Sequence, residues 1–375
     1  MKRGANEIML DKLNLRKIDY TFRSLQTKND LYDFSSNDYL GFARSADLHQ
    51  VINEALKKHH QIANGATGSR LLSGNSVFAE ELEEEIAGYH QSANGLIFNS
   101  GYTANSALFS CLPQKGDTIL YDEFIHASVI DGARLSFASR FKFIHNDLED
   151  LEKKIKKSTG ACYVAVESIY SMDGDSADLI RLAALCTKYQ AHLIVDEAHA
   201  FGVIGTGLVD SLGIQQEVFA RIVTFGKALG LHGAIVLGTD LLRDYLINFA
   251  RPFIYTTALP FSQLLALQIA YRHLLSYLLL KSTLQHKSSL LKANLPPQHQ
   301  ARCRDNIGAI YCLIISGNME AIQFSRTLQN KGFDVRPILS PTVPKGSERL
   351  RICLHTHNTD EEILELCRHI KQLSQ

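Results

Sequence analysis

Several features that mark common protein classes are missing from this sequence. Lys plus Arg equals Asp plus Glu at 39 each, so no excess of basic charge indicates a nucleic-acid partner. The first residues lack the apolar stretch of a signal peptide, and the longest apolar runs are too short to span a membrane. We therefore expect a cytoplasmic protein that binds neither nucleic acid nor a membrane.

The cysteine and histidine patterns also lack the spacings of disulfide frameworks and metal sites. The 7 Cys are odd in number and widely spaced, and no C-x-x-C occurs. The 15 His include no His-x-x-x-His pair on a helical pattern and no Cys/His knuckle. These absences predict reduced, mostly buried thiols and no metal ion.

Two common nucleotide-binding loops are missing as well. The D-E-A-H sequence at 196–199 also occurs in nucleic-acid helicases, where it holds magnesium, but helicases need a G-x-x-x-x-G-K-[ST] loop in addition. The only Gly-Lys pair, at 226–227, is followed by Ala228. The G-T-G at 205–207 lacks the third glycine of a dinucleotide-binding loop. Both functions are therefore disfavoured.

Short apolar runs alternate with amphipathic stretches between about residues 95 and 240. Most of these runs are apolar on both faces, as strands buried between helices are, and they predict a mostly parallel, seven-stranded α/β sheet. The runs lie at 96–98, 118–121, 141–144, 163–166, 192–195, 222–224 and 234–237. Such sheets bind ligands outside the carboxyl ends of their strands, where Glu167, Asp196 and Lys227 fall.

The chain divides into three predicted segments. Residues 1–40 form a short N-terminal arm, 41–255 a large ligand-binding domain, and 256–375 a smaller α+β domain. The small domain is predicted from a helical stretch over 262 to about 290 and from apolar strands near 309–315 and 350–354. A capping box at 359–362 starts its final amphipathic helix.

Asp196 and Lys227 give the strongest chemical signal. Asp196 closes an apolar run, and Lys227 lies in a small-residue loop after the next strand. A pyridoxal phosphate site needs this pair, because the Lys forms a Schiff base with the aldehyde and the Asp holds a proton on the pyridine nitrogen. Taken alone, Lys227 is better explained as an ordinary surface side chain, so the interpretation depends on its neighbours.

A phosphate-binding turn is the first of these neighbours. Residues 99–105, N-S-G-Y-T-A-N, follow a strand and open a helix. Free amides at a helix start attract an anion, and Gly101 lets the backbone approach it. Thr224, on the loop of Lys227, could supply a second contact. By itself this run is better explained as a structural turn.

Other side chains suit the cofactor ring and a substrate carboxylate. His199 could bond the phenolic oxygen, Ala198 could pack flat on the ring, and His126 could stack on the opposite face. Taken alone, His126 is better explained as a satisfied polar residue. Arg349 and Arg351 alternate onto one face of a C-terminal strand, where one could bind a carboxylate. A solvent-exposed strand face explains the two arginines equally well.

Taken together, these motifs resemble the α-oxoamine synthases, a branch of the fold-type-I pyridoxal phosphate enzymes. The matching stretches run in family order from about residue 30 to the C-terminus. They lie at 34–41 (F-S-S-N-D-Y-L-G), 68–74 (G-S-R-L-L-S-G), 99–102, 171–175 (S-M-D-G-D), 196–199, 224–227 and 341–346 (P-T-V-P-K-G). The resemblance implies a pyridoxal phosphate transferase fold and a decarboxylative Claisen condensation of an amino acid with an acyl thioester.

Within the family, the runs at 68–74 and 341–344 favour the branch that joins L-alanine to a pimeloyl thioester in biotin biosynthesis. Relatives that use glycine with acetyl or succinyl thioesters, or serine with a long acyl thioester, remain alternatives. A non-catalytic subunit of another complex is a further alternative, which the intact Lys227, Asp196 and His126 argue against. The acyl carrier, coenzyme A or acyl carrier protein, stays open.

The resemblance also assigns roles around the cofactor ring. Lys227 would be the Schiff-base lysine and the base at Cα. Asp196 would pair with the pyridine nitrogen and His199 with the phenolic oxygen, while His126 would stack on the ring. Ser171 would lie close to the cofactor.

Two further groups would hold the phosphate and the substrates. Gly101, Tyr102 and Thr224 would bind the phosphate, with Thr256 or Thr257 reaching in from the second subunit of a homodimer. The substrate groups are Asn37 and Arg351 for the alanine carboxylate, and either Arg16 or Arg23 for the acyl chain.

Overall fold

The computed structural model describes residues 3–25, 27, 30–59, 64–276, 279–303 and 305–374. The strands in these residues are β1 (Tyr32–Asp33), β2 (Asn94–Phe98), β3 (Thr118–Asp122), β4 (Ser139–Phe143), β5 (Cys162–Glu167), β6 (His192–Asp196), β7 (Ala220–Thr224), β8 (Ala234–Gly238), β9 (Ile310–Ile314), β10 (Phe333–Asp334), β11 (Arg336–Ile338) and β12 (Arg349–Cys353). The α-helices are α1 (Ala5–Ile18), α2 (Ala46–Lys58), α3 (Val77–Tyr89), α4 (Gly101–Cys111), α5 (Ala127–Leu135), α6 (Leu148–Ile155), α7 (Leu179–Lys188), α8 (Leu208–Leu212), α9 (Asp240–Phe249), α10 (Arg251–Ile254), α11 (Phe261–Ser276), α12 (Leu279–Asn294), α13 (Pro297–Cys303), α14 (Asn318–Asn330) and α15 (Asp360–Leu373).

The chain folds into two compact units. The large unit contains Asn37–Ser171 and Asp175–Thr283. The small unit contains Met1–Ser36, Met172–Gly174 and Leu284–Gln375, so the N-terminal segment belongs with the C-terminal strands and helices. The predicted domain limits at residues 40 and 255 stay a proposal.

A seven-stranded sheet forms the centre of the large unit, in the order β2-β8-β7-β6-β5-β3-β4. Strands β4, β3, β5, β6 and β7 pair in parallel, whereas β8 runs antiparallel to both β7 and β2. All seven predicted strands are present, and the predicted mostly parallel sheet is confirmed. Because β2 runs in the same direction as β7, the carboxyl ends of β2, β3, β5, β6 and β7 share one edge, where such sheets bind ligands.

Apolar side chains cover this sheet and hold its strand ends in place. Every residue of β5 is buried, as expected for a strand packed on both faces. The edge strand β4 is instead mostly exposed and carries Arg140 and Lys142, charges that protect a sheet edge from unwanted pairing. Large buried members of the core cluster are Leu96, Phe98, Leu108, Phe109, Tyr163, Ile222 and Val236. The sheet therefore gives the strand-end side chains a packed base.

The small unit contains an antiparallel sheet in the order β11-β12-β9, and β1 pairs in parallel with β10. The Arg349 side chain on β12 is buried, and its guanidinium donates to the Met172 carbonyl and the Asp173 carboxylate. A solvent-exposed strand face therefore does not explain Arg349. Thr359 and Glu362 form the predicted capping box at the start of α15.

One group of side chains in the small unit has the composition of a metal site. The ligand atoms of Asp33, His355 and His357 lie within 4.8 Å of one another. However, both His355 nitrogens face oxygen acceptors, since Nε2 lies 3.0 Å from the Ser36 carbonyl and Nδ1 lies 3.1 Å from Asn358 Oδ1. The expectation of no metal remains a prediction.

Helix α1 and the cysteines bear on the remaining sequence predictions. Helix α1 lies within the predicted N-terminal arm and has no buried residue. All 7 cysteines lie in the described part of the chain as free thiols, and all except Cys111 are buried. Among the described helices, none has both the length and the apolar composition needed to cross a membrane.

Candidate active site

An open cavity of about 270 Å³ in the large unit collects side chains from the carboxyl ends of several strands. The predicted site residues that line it are Asn37, Gly101, Tyr102, His126, Asp196, His199, Thr224 and Lys227. Residues without a predicted binding role also line it, namely Ser100, Asn105, Glu167, Gly226, His232 and Gly233. Ala198, expected to pack on a ring, is a lining residue too. The fold thus brings most of the predicted site together.

Asp196 ends β6 with its carboxylate held by one donor on each oxygen. Oδ1 accepts from the Ala198 amide at 2.9 Å, and Oδ2 accepts from Asn105 Nδ2 at 2.7 Å. These two bonds fix the rotation of the carboxylate. Because each oxygen has two lone pairs, a position remains for a cationic N–H from the cavity.

His126 caps the N-terminus of α5 and presents its ring to the cavity. Its Nδ1 lies 2.7 Å from Ser128 Oγ and 3.3 Å from the Ser128 amide nitrogen. Burial lowers the pKa of His126, and this effect outweighs the nearby Asp196 carboxylate, which raises it. The Tyr102 ring meets the His126 ring edge-on, with 6.4 Å between centroids.

His199 is held by a tyrosine that also reaches Asn37. The Tyr39 hydroxyl lies 2.7 Å from His199 Nδ1 and 3.1 Å from Asn37 Oδ1. Tyr39 is completely buried, so these bonds form away from bulk water. The two predicted site residues are thereby connected through one hydroxyl group, a link that the sequence did not suggest.

The start of α4 forms a cradle for an anion. The Ser100 hydroxyl caps the Thr103 amide at 3.1 Å, which leaves the first amides of the helix, those of Gly101 and Tyr102, without intrahelical partners. Thr224 Oγ1 is buried and has no hydrogen-bond partner among the described residues. A Cβ at position 101 would lie 2.4 Å from Thr224 Cγ2, so only glycine fits there. The oxygens of a phosphate would satisfy these donors.

Glu167 lies beside Asp196 at the end of the neighbouring strand β5. The two residues are direct partners in the parallel ladder, and Glu167 Oε2 accepts from the Ser171 amide at 3.1 Å. Burial raises the pKa of Glu167, and the Asp196 charge adds to the effect. Its other oxygen, Oε1, is buried with no hydrogen-bond partner among the described residues. Glu167 is thus a polar group of the cavity. The sequence analysis predicted its position at the end of a strand but assigned it no binding role.

Asn105 was missed as a site residue, although a signal was available. It lies four positions after Gly101 on the helix that starts at the cavity. Residues four apart on a helix share a face, so the phosphate turn at 99–102 could have indicated Asn105. Its contact with Asp196 depends on tertiary packing and could not be read from the run itself.

The predicted residues that do not line this cavity include Ser171, Thr256 and Arg351. Ser171 is next to it through the bond of its amide to Glu167. Thr256 lines a separate small cavity, where its hydroxyl lies 3.2 Å from Asn99 Nδ2. Arg351 belongs to the small unit and lies directly opposite Arg336 of β11. The roles of these three residues stay predictions.

Glu197, the second residue of the D-E-A-H sequence, is committed to the protein core. It is completely buried, accepts from the Val209 amide at 2.9 Å and lies 3.9 Å from Arg221. Burial raises the pKa of Glu197 to about 7. Its oxygens therefore serve the core, and this use of Glu197 argues against a magnesium-binding helicase motif.

Comparisons with known proteins agree with this geometry. The family model described as "Aminotransferase class I and II" matches residues 29–370. An 8-amino-7-oxononanoate synthase from Emericella nidulans is 41% identical over 368 residues, 88% of this chain and 86% of that protein. The solved 8-amino-7-oxononanoate synthase from Francisella tularensis is 29% identical, with a TM-score of 0.77 over 92% of this chain and 98% of that one. A serine palmitoyltransferase from Sphingomonas wittichii is 25% identical, with a TM-score of 0.86 over 98% and 96%. The predicted fold-type-I architecture is confirmed.

Proposed function

We propose that this chain, which belongs to the aminotransferase class I and II family and within it to the 8-amino-7-oxononanoate synthases, makes 8-amino-7-oxononanoate. The reaction joins L-alanine to a pimeloyl thioester and releases carbon dioxide and the thiol carrier, with pyridoxal phosphate as cofactor. One observation carries the proposal: a single cavity holds Lys227, Asp196, His126 and His199 in a chain 41% identical to such a synthase.

The residues of the cavity fit pyridoxal phosphate. The buried Thr224 hydroxyl and the amides of Gly101 and Tyr102 would hold its phosphate, and Asp196 would pair with its pyridine nitrogen. Lys227 would bind its aldehyde. When bound, the cofactor supplies an electron sink for the negative charge that develops at the substrate Cα.

The remaining chemistry is assigned to side chains of the protein. Lys227 would take the proton from the substrate Cα, a general-base role for a positioned amine. His126 would stack on the cofactor ring, and His199, which is held by Tyr39, would bond its phenolic oxygen. As the family resemblance implies, Asn37 and Arg351 would hold the alanine carboxylate, and Ser171 would lie beside the cofactor.

The test uses purified full-length protein with L-alanine and pimeloyl coenzyme A, with the product identified by mass. Borohydride reduction of the loaded protein should attach the cofactor to the peptide that contains Lys227. Lys227→Ala should lose essentially all turnover and this attachment. Lys153→Ala, which changes an exposed lysine on α6, should retain both. A wild-type protein that binds no pyridoxal phosphate would disprove the proposal.

A sister activity with serine or glycine is the second candidate, favoured by the structural similarity to a serine palmitoyltransferase. A panel of L-alanine, glycine and L-serine against acetyl, succinyl, pimeloyl and palmitoyl thioesters separates the two. Comparing pimeloyl coenzyme A with pimeloyl acyl carrier protein identifies the natural carrier. A higher kcat/KM for serine with the palmitoyl thioester would favour the sister activity.

We also propose a cytoplasmic homodimer in which Thr256 reaches the phosphate of the other subunit. The free thiols support the reducing compartment, which cell fractionation would check. Lys227→Ala and Thr256→Ala impair different halves of such a shared site. Mixed dimers of the two variants should therefore regain about a quarter of wild-type activity, since half the dimers would contain one intact site of two. No gain on mixing would contradict the shared site.

A further inference from the structure

Four side chains around the cavity form one continuous hydrogen-bonded chain, all within the large unit. Asp196 Oδ2 lies 2.7 Å from Asn105 Nδ2, which lies 3.0 Å from Ser128 Oγ. Ser128 Oγ in turn lies 2.7 Å from His126 Nδ1. Asn105 on α4 and Ser128 on α5 are 2% and 0% exposed, so water does not compete for these bonds.

The direction of each bond follows from the group at the end of the chain. A carboxylate only accepts, so Asn105 must present its NH₂ group to Asp196. The same NH₂ group faces Ser128 Oγ, which therefore accepts from Asn105 and has its own proton left for His126 Nδ1.

The backbone gives independent support for this direction. The amide of Ser128 can only donate, and it points at His126 Nδ1 from 3.3 Å. A proton on Nδ1 would face this amide hydrogen directly. With two donors facing it, Nδ1 carries a lone pair, and the ring proton resides on Nε2.

We propose that Asn105 and Ser128 are positioning residues that hold His126 in its Nε2–H tautomer and tie its ring to the Asp196 carboxylate. The nitrogen of His126 that Ser128 does not engage is then a hydrogen-bond donor and not a base. This division assigns the role of base to Lys227 and not to His126. The proposal goes beyond the reaction assigned above, because it concerns the protein even without cofactor.

Charged groups on three elements affect the pKa of His126. Asp131 on its own helix α5 and Asp196 at the end of β6 favour the protonated ring, whereas burial and Lys227, after β7, disfavour it. Glu167, at the end of β5, lines the same cavity. The two bonds donated to Nδ1 add to the effects that keep the ring unprotonated, since protonation of Nδ1 would break them.

Nuclear magnetic resonance of the full-length chain with ¹⁵N-labelled histidine reads the tautomer directly. Spectra are recorded without cofactor and after loading with pyridoxal phosphate, and His126→Gln identifies the signal. The wild type should show the Nε2–H tautomer at neutral pH. In Ser128→Ala, the loss of the hydroxyl donor should raise the pKa of His126 and give a mixture of tautomers.

Ser106→Ala is the matched control. Ser106 is a buried serine beside Asn105 on α4, and its hydroxyl bonds the Ser128 carbonyl at 3.4 Å without entering the chain. Ser106→Ala removes a buried hydroxyl, as Ser128→Ala does, but it should leave the tautomer and the titration of His126 unchanged. A structural effect of losing any buried serine would instead appear in both variants.

Asn105→Asp tests the other end of the chain. The change replaces the NH₂ donor by a carboxylate 2.7 Å from Asp196, so the two acids compete for one proton. We expect a changed His126 tautomer and a dissociation constant for pyridoxal phosphate at least about tenfold higher, measured by equilibrium dialysis. Circular dichroism checks the fold. If this variant does not fold, the comparison of Ser128→Ala with Ser106→Ala tests the proposal.

A wild-type His126 that carries its proton on Nδ1 or on both nitrogens at neutral pH would overturn the proposal. So would a Ser128→Ala variant that behaves like Ser106→Ala. Failure of the cofactor to attach to Lys227 would refute the proposed function but leave the tautomer test intact, so the two failures are distinguishable.

Discussion

Two histidines of the large unit face opposite kinds of partner. His126 Nδ1 faces two donors of Ser128, whereas His145 lies between two carboxylates, with Asp122 2.9 Å from Nδ1 and Asp175 2.8 Å from Nε2. Burial by itself would lower the pKa of either ring, and for His126 the net shift is downward. For His145 the hydrogen bonds to Asp122 and Asp175 outweigh burial and raise the pKa to about 10.

The difference separates a ring available for chemistry from a ring used for structure. His145 stacks on Phe124 with 4.4 Å between centroids and meets Tyr170 edge-on at 4.5 Å. Its partner Asp122 also accepts from the amides of Phe124 and Asn146. As an imidazolium, His145 joins the loops after β3 and β4 to Asp175. Hydrogen-bonding partners, and not burial, distinguish this ring from His126.

The largest difference between the two clusters is expected in turnover. Asp196→Asn removes the charge that we propose would pair with the cofactor nitrogen, and it should lower kcat/KM for L-alanine and pimeloyl coenzyme A by about 10²–10³-fold. Asp122→Asn makes the same chemical change in the His145 cluster and should alter kcat/KM less than about threefold. Similar losses in both variants would show that the two clusters do not differ in function.

The order of the two substitutions should be reversed for stability, with the larger loss of unfolding free energy in Asp122→Asn. Asp122 is completely buried and pairs with an imidazolium, so Asp122→Asn should lower the free energy of unfolding by about 2 kcal/mol. Asp196 accepts from two neutral donors, the Ala198 amide and the Asn105 side chain, so Asp196→Asn should cost less. Urea unfolding of the cofactor-free proteins measures both. A larger loss for Asp196→Asn would reverse the structural assignment.

The sequence predicted the parts of the site that local pattern encodes. The seven apolar runs gave the strands, and residues at their carboxyl ends, such as Asp196 and Thr224, met in one cavity because parallel strands share that edge. Asn105 and Ser128 were not predicted as site residues, because their contact requires α4 to pack on α5. Likewise, alternation put Arg349 and Arg351 on one face but could not indicate that Arg349 is buried.

Long-range pairing also limited the prediction of domains. The predicted arm at 1–40 was defined by composition, whereas β1 pairs with β10, about 300 residues later in the chain. Residues 172–174 likewise belong to the small unit although both flanking segments belong to the large one. Local periodicity contains no information on such pairings, so the limits could not be derived from it.

The His145 cluster should make stability fall as pH rises. Its folded pKa of about 10 lies above the ordinary value of 6.5, so the folded state retains a proton that the unfolded state loses. The contribution is therefore complete below pH 6.5 and is lost between pH 6.5 and 10. The difference in unfolding free energy between wild type and His145→Gln should shrink across this window. A constant difference would mean that His145 is not an imidazolium in the folded protein.

His126 should give a smaller effect of the opposite sign. Its folded pKa is lowered below 6.5, so below that pH the unfolded state binds a proton that the folded state does not. Stability should therefore fall as pH drops below 6.5, and His126→Gln should remove part of this fall. Urea unfolding of wild type and variant at pH 5 and pH 7 compares the slopes. Because Ser128→Ala removes the hydroxyl donor to Nδ1 and should raise the pKa of His126 toward its ordinary value, it should reduce the slope in the same direction as His126→Gln, whereas Ser106→Ala should not.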